Sequence, residues 1–269
     1  MRRLTVLLIA AVMLLGTFAC TASADGDILR VGMECAYAPN NWLETAESES
    51  NLPISNVDGS FAEGYDVQIA KLIGEYTGYG IEIVMLSWDG LIEALNQGQI
   101  DMIIAGMADT ATRKEAINFS APYHVTEYGI MVQGDSPFAS AATIHDFAGA
   151  CVLGQKDTQL DTVIDQMDGA EHLPPVSSVP NMISRLAEGT CDAIVVNVEN
   201  SGAYLKANPS FSLIRFAEGD GFDLGFVGAC VGIRKTDDEL LAQVNDALAQ
   251  IDDDLRTQLW DTAVANQPA

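Results

Sequence analysis

Basic residues are scarce in this chain: 13 Lys and Arg stand against 38 Asp and Glu in 269 residues. Arg2 and Arg3 precede the first acid, so everything from Asp25 onward carries a formal charge of about −27. That deficit argues against nucleic acid, which needs a basic face, and against broad adhesion to anionic lipid. Histidine is scarcer still, with His124, His145 and His172 alone. His145 beside Asp146 and His172 in "AEHLPP" read as surface or turn residues. No G-x-S-x-G, H-E-x-x-H or C-x-x-C motif occurs, and the glycines near "GMECAYAPNNW" do not repeat as in a dinucleotide loop. With no nucleophile placed beside a base, no catalytic residue, cofactor or metal is expected, and the chain reads as no enzyme. Beyond Asp25 no apolar run is long enough to cross a membrane. Four cysteines follow it, Cys35, Cys151, Cys191 and Cys230, each in an apolar, strand-like setting. They allow three disulfide pairings in an exported chain, and buried free thiols equally, but their spacing suggests no metal cluster.

What is present begins with a secretory layout over residues 1–24: "MRR", then the apolar "LTVLLIAAVMLLGTFA", then the small-x-small "ASA". The apolar run is too short for a bilayer span. Ala19 before Cys20 leaves two outcomes open: a lipid anchor on Cys20, or cleavage before Asp25. Either way the protein is exported, to the periplasm or the cell surface.

Apolar periodicity gives the organisation. "ILRVGM" predicts a strand, and the following 30 or so residues from Cys35 to Glu63 form a segment too long to lack a hairpin or a function. "DVQIAKLIGEYTG" predicts a helix ending near Gly78, "IEIVML" a strand, "WDGLIEALNQG" a helix and "IDMIIAG" a buried strand. That βαβα order implies a largely parallel sheet. The pattern restarts after Tyr128 with strands "YGIMVQ", "ACVLGQ" and "CDAIVV" and helices "TIHDFAG", "TQLDTVIDQM" and "VPNMISRLAEG". "GFVGACVGIRK" is a further strand, and "DDELLAQVNDALAQIDDDLRTQLW" closes the chain as one or two helices. The unit "LIEALNQGQIDMIIAG" echoes "MISRLAEGTCDAIVVN", so two similar α/β lobes are expected. The candidate crossovers are Tyr128–Gly134 and Gly219–Gly228. The expected division is 25–130 for the first part of lobe one, 131–219 for lobe two and 220–269 for the return.

Against this background one arginine stands out. Arg113 closes "DTATR" just past a buried-type strand, where a turn hands over to a helix and leaves backbone N–H groups free. A guanidinium there makes a pocket the size of one carboxylate. A surface ion pair with Glu115 or Asp109 is the other reading. Tyr37 and Trp88 each follow a strand end, where α/β sheets place ligands, and could sandwich one or simply fill the core. Thr158 could cap a helix or donate to an anion.

Taken in order, "LRVGMECAYAPNNW", "GYDVQIAKLIG", "SWDGLIEALNQGQIDMIIAGMADTATRKEAINFSAPY", "CDAIVVN" and the closing helix with Trp260 resemble the extracellular solute-binding proteins, family 3, of ABC importers for polar amino acids. The resemblance covers the whole exported part. It implies a bilobed periplasmic-binding-protein-like fold, two α/β lobes joined by a double-crossover hinge. It also implies capture of a polar or cationic L-amino acid by hinge closure, delivery to a membrane ABC permease, and a monomer. By position, Arg113 would hold the ligand carboxylate, assisted by the main chain at Gly106 and Ala108 and by Thr158. Tyr37 and Trp88 would flank the ligand, with Glu34 nearby. The chain departs from the family pattern at Ala108 (usually Ser or Thr), Asp157 (usually Gly), Asn40 (commonly Phe) and Asn197 (usually Asp or Glu, which takes the ligand ammonium). Asp157 and Glu199 are the candidates to replace that missing charge. Two other functions fit the same fold: a dehydratase-like enzyme acting on a cyclic carboxylic acid, and a sensing module reporting to a membrane signalling partner.

Overall fold

The computed structural model describes residues 28–224 and 228–268. The secretory segment and Cys20, and with them the choice between anchor and cleavage, lie outside the described residues, as do 225–227 in the second expected crossover.

The first lobe opens with β1 (Ile28–Met33). The long segment after it contains β2 (Ala36–Tyr37), β3 (Asn41–Glu44), β4 (Leu52–Pro53) and β5 (Phe61–Glu63), which pair as a small antiparallel sheet. The hairpins expected in that segment are therefore present. Then come α1 (Tyr65–Thr77), β6 (Gly80–Met85), α2 (Leu91–Asn96), β7 (Met102–Ile103), α3 (Ala111–Ala116) and β8 (Asn118–Val125). The second lobe holds β9 (Tyr128–Gln133), β10 (Cys151–Leu153), α4 (Gln159–Thr162), β11 (Glu171–His172), α5 (Val179–Ala187), β12 (Ala193–Asn197), α6 (Ser201–Ala207) and β13 (Phe211–Ile214). The chain returns to the first lobe for β14 (Gly228–Ile233), α7 (Asp238–Leu248) and α8 (Asp253–Asn266).

The two main sheets have one plan. Their orders are β6-β1-β7-β14-β8 and β11-β10-β12-β9-β13. In each, the first three strands are parallel and the fourth, which has just crossed from the other lobe, runs against them. The internal echo falls on α2–β7 and α5–β12, which occupy the same place in the two sheets. Even a backbone detail repeats. Asp101, just before β7, donates its N–H to Arg30 O at 2.8 Å and accepts the Arg30 N–H on its carboxylate at 3.0 Å. Asp192, just before β12, does the same with Cys151, at 2.9 and 2.8 Å. Each acid thus pins the central strand of its sheet to a parallel neighbour, β7 to β1 and β12 to β10.

Helix ends follow local chemistry. Gly78 stops α1 in the left-handed region at φ 82°, where a Cβ would be strained. Ser178 caps α5, its hydroxyl accepting from Asn181 N, and Pro180 falls where no intrahelical donor is needed. Apolar strands such as β1, β7 and β14 are covered on both faces, and each lobe has its own core.

The lobe boundaries differ from the expected ones. Tyr128–Gln133 is a strand of the second sheet with nearly every residue buried, so the first exchange lies at Thr126 and Glu127, not within Tyr128–Gly134. Phe216, Phe222 and Leu224 still pack on the second core, and Asp220 O accepts from Ile144 N at 3.0 Å. The turn at Gly219 therefore belongs to lobe two, as does Leu224, while Gly228 already opens β14 of lobe one. The four cysteines among the described residues, Cys35, Cys151, Cys191 and Cys230, are free. Burial pushes the thiols of Cys35 and Cys230 up to about 12 and that of Cys191 to about 11.

Candidate functional site

The facing ends of the two lobes meet around Arg113. Thr110 caps α3, its hydroxyl accepting from Arg113 N, which sets the arginine on the first turn. The side chain is buried. Its Nη1 donates to Ala108 O at 2.8 Å and its Nη2 reaches across the gap to Asp157 O at 2.5 Å. The guanidinium carbon lies 5.0 Å from the centre of the Trp88 ring, a cation–π distance. Burial lowers the arginine to about 10, so it stays charged at neutral pH. No carboxylate pairs with it among the described residues. Asp109, one of its expected surface partners, is taken by Lys114 at 2.5 Å.

Around this cation the walls are aromatic and amide. Glu34, Tyr37, Trp88, Gly106, Ala108, Arg113, Thr158 and Asn197 share one space with Tyr128, Gln155 and Gln159. That space is about 30 Å³. It shares the wall of Trp88, Arg113, Thr158 and Gln159 with an outer groove of about 500 Å³. The eight residues named from the sequence are thus brought together. Gly106 has φ 62°, and a Cβ there would lie 3.0 Å from Tyr37 Cε1, so a side chain would be both strained and crowded. Its N–H donates to Tyr123 Oη at 2.9 Å. Burial, with Asp89 adding to it, pushes the Glu34 carboxyl up to about 7.

Several expected roles are altered by tertiary partners. The Thr158 hydroxyl both donates to Gln155 O at 2.7 Å and accepts from Leu160 N at 3.1 Å, so its proton is already committed. Asp157 sits at φ 57°, in the left-handed region, which explains why glycine suits this position. Its carboxylate is 68% exposed, lies 3.5 Å from Lys156 Nζ and borders the outer groove, not the inner space. Glu199 lines neither. Its carboxylate accepts from the Thr126 hydroxyl and from Glu127 N, at the exchange between lobes. Neither acid supplies the charge that Asn197 lacks. The Asn197 side chain makes no hydrogen bond among the described residues. Asn40, where the resemblance suggested a thinner aromatic wall, accepts from Asn200 Nδ2 of lobe two at 2.7 Å and donates to the buried Asp66 at 3.3 Å.

Tyr128, Gln155 and Gln159 line the site without being among the site candidates named from the sequence. One signal could have found Gln155. It follows β10 as Glu34 follows β1, at a strand's carboxyl end.

The model of the bacterial extracellular solute-binding proteins, family 3, matches residues 29–259. The arginine-binding extracellular protein ArtP of Bacillus subtilis is 24% identical over 260 residues, covering 94% of each chain. The probable histidine-binding protein of Neisseria gonorrhoeae is 25% identical over 236 residues, 87% of this chain and 81% of that one. A crystal structure of the substrate-binding protein of an amino acid ABC transporter superposes with a TM-score of 0.71 at 26% identity, covering 88% of this chain and 97% of the other.

Proposed function

This chain belongs to the bacterial extracellular solute-binding proteins, family 3, and from that premise we propose that it captures a polar or cationic L-amino acid between its lobes and hands it to a membrane ABC permease. The family is a binding class, so the dehydratase-like alternative is not carried further. The names of the Bacillus and Neisseria relatives, arginine- and histidine-binding, support an amino-acid ligand.

The observation that carries the reading is the Arg113 guanidinium: buried, charged, stacked on Trp88, and paired with no carboxylate among the described residues. Two of its five N–H groups are donated to carbonyls. The remaining donors fit a ligand carboxylate, with the Gly106 and Ala108 main chain beside it. Tyr37 and Trp88 supply flat faces for the ligand's carbon chain. Lobe two contributes Thr158, Gln155 and Gln159 only when the lobes meet. A ligand touching both lobes therefore favours the joined state, and closure follows from that difference in contacts.

Removal of the guanidinium tests this. Arg113→Ala is expected to weaken ligand binding at least about 100-fold in calorimetry, the scale of two charge-assisted hydrogen bonds, while a cooperative thermal melt persists. Unchanged affinity would end the carboxylate-clamp reading.

A further inference from the structure

We infer that the cleft is built for a ligand of zero net charge, carrying one carboxylate and one cationic group, and discriminates against dibasic amino acids. This rests on the amino-acid reading above and narrows it.

The argument is a charge inventory. The inner space presents one cation, Arg113, and one acid, Glu34. The other carboxylates nearby have protein partners, including Asp89 and Asp157, which border the outer groove and share Lys156. Asp66, beneath the floor, accepts from Tyr123 Oη at 2.8 Å, Asn41 Nδ2 at 2.8 Å and Asn40 Nδ2 at 3.3 Å. Asp89 holds Lys156 at 3.0 Å, and the exposed Asp157 carboxylate also faces Lys156, at 3.5 Å. Glu199 is turned to Thr126 and Glu127. The other polar walls, Asn197, Gln155 and Gln159, are neutral amides.

A zwitterion uses this inventory fully, its carboxylate on Arg113 and its ammonium balanced by Glu34. A second cation in the inner space would meet amide oxygens alone, and one reaching the outer groove would meet Asp89 and Asp157, whose charge Lys156 already offsets in part; desolvating a charge without a full partner is costly. Burial weakens even the single anion, because Glu34 titrates near 7. The acidic surface of the molecule attracts cations at a distance, which speeds encounter. That field is diffuse and screened within about 8–10 Å in salt, so it does not substitute for an acceptor in contact.

Matched pairs test the inference. L-Citrulline and L-arginine have nearly the same shape and differ by one charge; L-glutamine and L-lysine form a shorter pair. In calorimetry on the exported protein at pH 7.5, the neutral member of the better-binding pair is expected to be at least about tenfold tighter. Asn197→Asp adds the absent anion and is expected to improve the cationic member at least tenfold more than the neutral one. A cationic member equal to or tighter than its neutral partner in the unaltered protein overturns the inference and leaves the amino-acid reading intact. No binding by any of the four, with no response of their thermal shifts to Arg113→Ala, overturns both.

Discussion

Two buried titratable groups oppose each other in acid. Glu34, ordinarily at 4.5, titrates at about 7 in the fold. Its protonated form suits the folded state, so its contribution is complete below about 4.5 and is lost as pH rises through 7. His124, ordinarily at 6.5, is pushed down to about 4 by burial and by Arg256. It stacks on Trp260 at 4.0 Å between centroids, with Tyr65 edge-on at 5.4 Å. Here the neutral form suits the fold, and its contribution is lost as pH falls through 4. Between about pH 4.5 and 6.5 the two terms partly cancel. Each should emerge when the other is removed. Urea unfolding of ligand-free Glu34→Gln is expected to gain on the unaltered protein as pH rises from 5 to 8, by no more than about 3 kcal/mol. His124→Gln is expected to gain as pH falls from 7 to 4. Parallel pH profiles for all three proteins would contradict both assignments.

At the scale of elements, the paired aspartates before β7 and β12 are not equal. Asp101 accepts from Arg30 Nε and Nη2, both at 3.0 Å, and from Arg234 Nη2 at 3.1 Å, in addition to the Arg30 backbone. Asp192 has the Cys151 backbone as its partner. Asp101→Asn is therefore expected to cost about 2–3 kcal/mol in chemical unfolding and Asp192→Asn about 1 kcal/mol; equal losses would show the arginines to be passive. The echo that carries these aspartates was legible in sequence because helix, glycine, aspartate and apolar strand recur in one order. So was the βαβα plan, since β1, β6 and β12 are apolar runs of the right length. β8 was not legible: "NFSAPYHV" contains Pro122 and alternates weakly, and it becomes a strand through pairing with β14. α6 and β13 are short and were also missed. In the site, Arg113, Tyr37 and Trp88 could be placed because each stands at a strand end or helix start. The Asn40–Asn200 pair and the turning away of Glu199 could not, since each depends on a partner more than 70 residues distant.

At the scale of the whole molecule, four hydrogen-bonded contacts join the lobes among the described residues: Arg113 to Asp157 O, Lys156 to Asp89, Asn200 to Asn40, and Tyr204 Oη to Ala38 O. The asparagine pair is buried, at 2% and 3% exposure, and separation of the lobes would hydrate both amides. Asn200→Ala leaves Asn40 Oδ1 without its protein donor in the joined state, whereas water can supply one in the parted state. Affinity is expected to fall about 5- to 100-fold, the range of one buried polar group left unpaired. X-ray scattering should show a larger radius of gyration for the ligand-free variant. Neither change would mean that the pair is indifferent to lobe position.

The grip of Glu199 on Thr126 and Glu127 has a mechanical consequence. Those two residues form the connector, yet they are fastened to lobe two by its own acid, so they travel with that lobe as rigid cargo. Relative motion on this side is left to the Val125–Thr126 junction, where the last residue of β8, paired with Gly228 in the first sheet, meets the fastened connector.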